Sequence, residues 1–490
     1  MQAIETPTEA GVAGSRQGWV VKGITAGVAA VLLILAWSML CSAPGIPWNA
    51  VRLSPSFALA RGLPIYALRD SGAHLGWVYG PVFPLWFTPA GLTDNPTTGL
   101  MLAAAWNIVA LVLPIFIALR VALGAAQRAV IWQMTLLGTV LLLANPITNS
   151  AFYYMHVDAL CVGWALVACA ALHARAVRGW APGLPVAALA VALAVATKQV
   201  AVVLLPATIL WLWREGHTRL LWPWLFWLAT ICGGLAVVFF ACFGPEELLF
   251  NAWLLFSRMP WRGGWGQLGA NALEVFQSCW LWWTGAGLGW LVVRARWREH
   301  LTAEAGAFAR LLGWVALVQA PLGLTASLLV DAALNSIHST SYLLVAGLVV
   351  AGSLLARGNA VANSPLGLRQ YLMLGLVAGV GLVTDVKLVI DRGVVWTPFH
   401  GQEELLAMVR RTPGKIYLPW NPLVHLIAER KIYPFDEALR YLWLARLEPP
   451  RAAIRAAVPE GAFIFYQEPS QSHFALNYFG KDARAPAIDR

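Results

Sequence analysis

The chain has 490 residues, of which 59% are hydrophobic and only 12% are charged. Soluble domains carry about 25% charged residues, so this composition excludes an ordinary soluble protein. The charges are also uneven, because residues 386–490 hold 25 of them and the first 385 residues hold 33. We therefore expect a cytoplasmic tail at 1–22, a multi-pass membrane domain at 23–385 and a small soluble domain at 386–490.

The net charge of +10 does not indicate a nucleic-acid partner, because Lys and Arg are scattered between apolar segments. The six cysteines lie in or beside apolar stretches without metal-ligand spacing, so we interpret them as membrane-core residues. The first apolar run, 23–43, is too long for the apolar core of a typical signal peptide, and no clean small-x-small cleavage site follows it, which predicts an uncleaved first span.

A membrane-spanning helix needs about 20 apolar residues, or fewer where the bilayer is thinned or the helix is broken, and eleven stretches are predicted as spans on this basis. They are 23–43, 98–120, 129–146, 157–174, 183–198, 199–213, 220–243, 272–295, 306–330, 340–356 and 367–385. The proline-rich stretch 81–93 is shorter and predicts a re-entrant or interfacial piece. Lys198 and Gln199 interrupt 183–213, which favours two short helices over one long span.

With the N-terminus in the cytoplasm, 14 of the 20 Lys and Arg residues before residue 386 fall on the cytoplasmic side. An odd number of spans then places the C-terminal domain outside. The predicted fold is an all-α polytopic membrane domain of about 11 transmembrane helices, followed by a small α/β extracytoplasmic domain. Its large outer loops are 44–97 and 244–270, and we expect it in a bacterial inner (plasma) membrane, with the C-terminal domain in the periplasm.

The first outer loop is too long for a simple connector, and long loops tend to be functional. Arg52, Tyr66 and Tyr79 are side chains that suit an interface both wet and apolar. Asp70 and His74 are four residues apart and are predicted to share one side of a short helix. The alternative is an interfacial loop with a solvated Asp70.

Two further polar groups lie at the ends of apolar spans. His156 and Asp158 stand at the entrance of one span, where an acid either has a functional reason or is favoured by the helix dipole. Lys198, with Gln199, must pair, snorkel to the surface or meet an anionic ligand. Phosphate is the ligand that also explains why no acid lies nearby in sequence. His338 lies on a polar helical face, as a site residue or in a helix junction.

The outer loop 244–270 is basic and aromatic, which is typical of a membrane-interface anchor or of a sugar-stacking surface. Nearly every polar cluster of the membrane domain thus falls on the same outer face. We interpret this as an outward-facing active site on a polytopic platform. The C-terminal domain shows no nucleophile–base arrangement, so we expect it to cap or guide that site.

Three passages are similar to recurring signatures of the GT-C class of membrane glycosyltransferases, such as the protein O-mannosyltransferases and the aminoarabinose transferases. They are ALARGLPIYALRD with GWVYGPVFPLWFTP in the first loop, YYMHVDALCVGWALVACAAL, and ALAVATKQVAVVLLPATILWL. The resemblance covers the first 215 residues best. It implies inverting transfer of a sugar from a polyprenyl-phosphate donor, at the lipid surface, to an acceptor on the non-cytoplasmic face.

The family places an acid early in the first loop, as general base or as a ligand of a divalent metal such as Mg or Mn. This sequence has Asn49 there, and an amide cannot accept a proton. The resemblance then implies that Asp70 or Asp158 is the catalytic carboxylate in place of that acid. Lys198 and an outer Arg would neutralise the leaving phosphate. The substrate-binding residues are predicted to be Arg52, Tyr66, His74, Tyr79, His156, Lys198, Gln199 and His338. The alternatives are a transporter or flippase of a lipid-linked substrate and a catalytically inactive scaffold.

Overall fold

A computed structural model of the chain describes residues 9–261, 263–278, 303–329, 334–361, 393–466 and 474–479, with the single residues 379, 383 and 387. The part up to residue 361 is mostly helical, apart from stretches such as 61–81 in the first loop. Its helices are α1 (Glu9–Ser42), α2 (Pro47–Ala60), α3 (Val82–Gly91), α4 (Pro96–Leu123), α5 (Arg128–Ala144), α6 (Pro146–Tyr153), α7 (Val157–Arg178), α8 (Gly183–Val195), α9 (Leu204–Arg214), α10 (Leu221–Phe243), α11 (Pro245–Leu249), α12 (Trp265–Ser278), α13 (Ala303–Ala326) and α14 (His338–Val361).

Five helical segments in the described part are long and apolar enough to cross a membrane: Lys22–Gly45, Pro96–Leu123, Val157–Arg178, Thr218–Phe243 and Gly306–Ala326. The pair α5 and α6, bent by 98°, counts as a sixth if it forms one span. Three further predicted spans correspond to shorter apolar helices. Of the last two, 272–295 is described only to residue 278, and 367–385 lies outside the described residues except for residues 379 and 383. The chain is a multi-pass membrane protein, and the count of eleven spans stays a prediction.

Helix α7 lies at the centre of the helix bundle. In the apolar window of α7, 89% of the residues are buried, because α4, α8, α13 and α14 all pack against it. Its alanines and Gly163 allow close approach, and a Cβ at Gly163 would lie 2.5 Å from the carbonyl oxygen of Ala110. A polar residue at the start of α7 is therefore surrounded by protein.

The sharp bend before α7 has a local cause. Pro146 ends α5 and begins α6, and the Asn145 side chain caps α6 by accepting from the amides of Ile147 and Thr148. Helix α6 ends at Tyr153, and a short extended turn at 154–156 leads into α7.

The first loop is mostly buried rather than solvated. The stretch predicted as a re-entrant or interfacial piece contains α3, which packs against α2 and α4. The prediction of a short helix carrying Asp70 and His74 is wrong, because residues 61–81 contain no helix.

The C-terminal part consists of short elements. They are α15 (Gly401–Arg411), β1 (Ile416–Tyr417), α16 (Pro422–Glu429), α17 (Asp436–Leu444), α18 (Arg451–Ala456), β2 (Phe463–Ile464) and α19 (Leu476–Phe479). The two strands pair in parallel, with Ile416 opposite Phe463 and Tyr417 opposite Ile464.

The C-terminal part shares an apolar core with the first loop. Trp48 packs edge-on against Trp420 at 5.2 Å between ring centroids, and the Phe435 amide donates to the His74 carbonyl at 3.0 Å. A Cβ at Gly72 would lie 1.9 Å from the carbonyl oxygen of Ala453, so the two backbones meet directly. The C-terminal part thus lies against the loop that carries the predicted site residues.

Candidate functional site

The Asp158 cluster consists of Asp158, Lys198, His156 and His338. Asp158 is 1% exposed, and its Oδ1 accepts from the Lys198 ammonium at 2.6 Å. Nδ1 of His156, the residue that caps α7, contacts Oδ2 of the same carboxylate. The four side chains come from α7 and the residue that precedes it, from the break after α8 and from α14, so packing of distant segments assembles the cluster.

His338, the first residue of α14, is the fourth member of the cluster. Its Nδ1 lies 3.6 Å from Asp158 Oδ2, and its Nε2 lies 2.9 Å from the Ser150 hydroxyl and in contact with the Ile147 carbonyl oxygen. Because a carbonyl oxygen can only accept, we assign a hydrogen to Nε2. This bond orients the imidazole toward Asp158.

The helix break predicted at Lys198 is present, and it places the ammonium inside the protein. Lys198 is extended (φ −145°, ψ 124°) between α8 and the 3-10 turn Gln199–Val203. Its side chain is only 11% exposed and is paired with Asp158, so it does not snorkel to the surface. The acid that is absent nearby in sequence is supplied from 40 residues upstream.

Gln199 holds this break in place. Its Nε2 donates to the Val78 carbonyl at 3.0 Å and to the Ala252 carbonyl at 2.6 Å. Both amide hydrogens are thereby used on backbone, and Oε1 is the atom left to meet a ligand. Gln199 thus ties the first loop and the segment after α11 to the Lys198 break.

Arg52 offers a second positive charge on α2. It is half-buried and lies over the Trp48 ring at 5.4 Å, and it makes no hydrogen bond or ion pair with the residues that the structure describes. Burial lowers the pKa of its guanidinium, and nearby groups partly oppose this shift. Those groups are Tyr79, Tyr441, Asp158 and Tyr154. Arg52 therefore lies within electrostatic range of Asp158 and remains available to an anion.

Two predicted tyrosines line the same region. The Tyr66 hydroxyl donates to the Tyr79 carbonyl at 2.7 Å, and the Tyr79 ring meets the His156 ring edge-on at 5.9 Å between centroids. Tyr66 thus fixes the backbone that presents Tyr79 to the cluster.

The structure separates Asp70 and His74 from each other. Asp70 is exposed, whereas His74 is 2% exposed and lies 6.4 Å from the Phe250 ring. Neither side chain contacts the Asp158 cluster. The position of Asp158, rather than that of Asp70, suits a carboxylate acting in a water-poor site.

The buried imidazole of His74 predicts a dependence of stability on pH. Burial lowers the pKa of His74 to about 4, although carbonyls of Ser71 and Arg69 partly oppose this. An unfolded histidine titrates near 6.5, so between about pH 6.5 and 4 the unfolded chain binds more protons. We expect the full contribution of neutral His74 to the free energy of unfolding above pH 6.5. As the pH falls to 4, the free energy of unfolding should decrease by about 3 kcal/mol because of this group.

Unfolding midpoints measured at pH 7.5 and 5.0 test this expectation. His74→Gln cannot become charged, so its loss of stability between the two pH values should be smaller than that of the wild type. An equal loss in both proteins would show that His74 is not the responsible group.

The described part of the chain contains no set of side chains suited to binding a metal ion. No group of three His, Cys, Asp or Glu side chains there can hold one. The Asp158 carboxylate is already met by an ammonium, which would repel a divalent cation. Dependence on Mg²⁺ or Mn²⁺ stays a prediction from the resemblance.

Sequence reasoning missed two parts of the site. Tyr441 and Tyr154 act on the Arg52 charge, and no sequence motif marks either residue. The buried hydrogen bonds of Asn49 were also missed, because the residue stood out only as a departure from the expected acid. The Asp158–Lys198 pair did have a signal, since two adjacent apolar spans each begin or end with one charge of opposite sign.

No protein-family model matches the sequence, and no curated protein matches it. The fold is similar to the crystal structure of ArnT from Cupriavidus metallidurans in the apo state, with a TM-score of 0.52 and 13% identity over 92% of this chain and 86% of that chain. The crystal structure of ArnT from the same organism bound to undecaprenyl phosphate gives a TM-score of 0.49 and 13% identity, over 96% and 89% of the two chains. The chain therefore has an ArnT-like fold, which agrees with the resemblance to the aminoarabinose transferases.

Proposed function

We propose that the chain is an inverting membrane glycosyltransferase that takes its sugar from a polyprenyl-phosphate donor. The observation that carries this proposal is the buried Lys198–Asp158 pair, whose carboxylate also acts electrostatically on Arg52. Buried ion pairs contribute little net stability compared with apolar packing, so a pair at this position favours a functional role. The ArnT-like fold and the sequence signatures support the same reaction class.

The site suits a ligand with an anionic head and an apolar tail. Lys198 and Arg52 would bind the phosphate, and the surrounding apolar helices would accommodate a polyprenyl chain. As the bond between the anomeric carbon and the phosphate oxygen breaks, the electron pair moves to the phosphate, and these two cations stabilise the developing charge. The acceptor oxygen forms the new bond to the anomeric carbon, and its proton passes to Asp158.

The reaction also needs a membrane topology in which the site lies on the extracytoplasmic side. The N-terminus is cytoplasmic, about eleven helices span a bacterial inner membrane, and residues 386–490 form an α/β domain on the extracytoplasmic side. That domain packs against the first loop and covers the site, where the acceptor, a lipid, glycan or protein, would enter.

Donor consumption by the purified protein in lipid nanodiscs tests the proposal. From a panel of labelled polyprenyl-phosphate sugars, we expect one donor to be consumed, with one polyprenyl phosphate released per sugar transferred. Charge-assisted hydrogen bonds contribute about 1.5–3 kcal/mol, so Lys198→Met and Arg52→Met should each weaken polyprenyl-phosphate binding by about 10- to 150-fold.

The matched control is Arg69→Met, which removes an exposed arginine from the same loop and should leave binding unchanged. Folded wild-type protein that neither binds nor consumes any donor would contradict the proposal. Labelling of Lys198→Cys from both sides of the membrane would instead support a transporter, and tolerance of all site substitutions would support a scaffold.

A further inference from the structure

Asn49 makes hydrogen bonds that use its whole side-chain amide. It is 0% exposed, and its Nδ2 donates to the carbonyl oxygens of Ala43 and Tyr153, both at 3.1 Å. Its Oδ1 accepts from the Met155 amide at 3.0 Å. An asparagine side chain has two N–H donors and a carbonyl acceptor, and all three have partners here.

These partners lie on the segment that leads into the Asp158 cluster. Tyr153 is the last residue of α6, and Met155 lies in the turn before α7. His156 follows at once as the capping residue of α7, and Asp158 is the second residue of that helix. Asn49 is thus hydrogen-bonded to both sides of Tyr154, in the turn that leads to His156 and Asp158.

An ionised aspartate has the same shape as asparagine but can only accept hydrogen bonds. At residue 49 it would keep the bond from the Met155 amide, but its other oxygen would face the carbonyl oxygens of Ala43 and Tyr153. Repulsion and the loss of solvent would both oppose this arrangement. The backbone around residue 49 therefore requires a donor.

We propose that Asn49 is a positioning residue whose amide holds the turn at 153–158 in place, and that this turn cannot keep its geometry with a carboxylate at residue 49. The acid implied by the GT-C resemblance is thus replaced by a group with a different task. The consequence for catalysis rests on the proposed function, whereas the positioning of the turn does not.

Hydrogen–deuterium exchange of the full-length protein in nanodiscs tests the positioning directly. At pH 7.5 we expect Asn49→Asp to exchange the amides of 153–158 at least ten-fold faster than the wild type. The matched control is Asn251→Asp, because Asn251 is 2% exposed and likewise donates to two carbonyls, those of Ala67 and Glu247, both at 2.8 Å. That variant should leave exchange at 153–158 unchanged.

The pH profile separates positioning by a donor from a mere loss of packing. A protonated aspartate regains one O–H donor, so protection of 153–158 in Asn49→Asp should recover as the pH falls from 7.5 to 5.0, relative to the wild type at each pH. The ionisable groups on the packed elements, Arg52, Tyr153, Tyr154, His156 and Asp158, are present in both proteins. Asn49→Ala should lose protection at every pH without this recovery.

Wild-type exchange at 153–158 in Asn49→Asp, or an absence of recovery at low pH, would overturn the proposal. If Asn49→Asp does not fold, Asn49→Ala decides, and unchanged protection in that variant would overturn it equally. Binding of polyprenyl phosphate is measured on the same samples. A wild-type protein that binds no polyprenyl phosphate would contradict the proposed function. The exchange result would still test the positioning role of Asn49 independently.

Discussion

Removal of either partner of the Lys198–Asp158 pair is expected to lower the free energy of unfolding by about 3–5 kcal/mol, whereas removal of both should restore most of this loss. The two side chains are 11% and 2% exposed, so a partner left alone would be a desolvated charge. The expected result is therefore strongly non-additive for Lys198→Met, Asp158→Asn and the double variant.

Reversible unfolding in mixed micelles provides the measurement. The matched control is the Arg310–Glu215 pair, which has two short hydrogen bonds of 2.6 and 2.7 Å but side chains 37% and 16% exposed. Solvent screens that pair, so its single variants should cost only about 1 kcal/mol or less. Additive losses for the Lys198 and Asp158 variants would show that the pair is not coupled.

The helices of the membrane domain were largely predictable from sequence, because hydropathy and length decide which segments cross a bilayer. The stretches around α1, α4, α7, α10 and α13 coincide with predicted spans. The break at Lys198 was also predicted, since two short helices preserve the pattern of positive charges on both sides, whereas a single long span would invert it.

The pairing of Lys198 with Asp158 was not predicted, although both residues were singled out. Each was considered within its own span, and the packing of α7 against α8 that brings them together depends on long-range contacts. Sequence spacing carries no direct record of such contacts. Opposite charges in neighbouring apolar spans are the signal that could have suggested the pair.

The first loop was predicted least well, because its conformation depends on the C-terminal part. An i, i+4 spacing placed Asp70 and His74 on a helix, but Gly72 and Gly76 lie between and after them. Gly76 has a φ of +68°, and a Cβ there would lie 2.8 Å from the Cβ of Ala438. Close approach of the C-terminal part thus determines this segment, and local periodicity does not.

His338 joined the site for a reason that the sequence indicated only in part. The sequence predicted only that His338 lies on a polar helical face. The structure instead orients His338 through Ser150 and Ile147 on α6. Its place in the site is therefore determined by helix packing rather than by spacing along one helix.

Asp158→Asn is expected to lower donor turnover by about 10²- to 10⁴-fold, the range typical for loss of a general base. Asp70→Asn is expected to change turnover by less than about two-fold, because Asp70 is exposed and lies apart from Lys198 and His156, which surround Asp158. Both variants replace an aspartate by asparagine. A difference in turnover between them therefore reflects where the lost carboxylate lies and not the chemical change.

Turnover is measured at saturating donor and acceptor, per folded protein and well below the unfolding midpoint, so that the stability cost of Asp158→Asn does not enter. Asp158→Glu keeps a carboxylate that can both accept a proton and pair with Lys198, so it should retain more activity than Asp158→Asn. If Asp70→Asn abolishes turnover while Asp158→Asn keeps it, the exposed loop acid is the base, and the buried pair serves only to hold Lys198 at the phosphate.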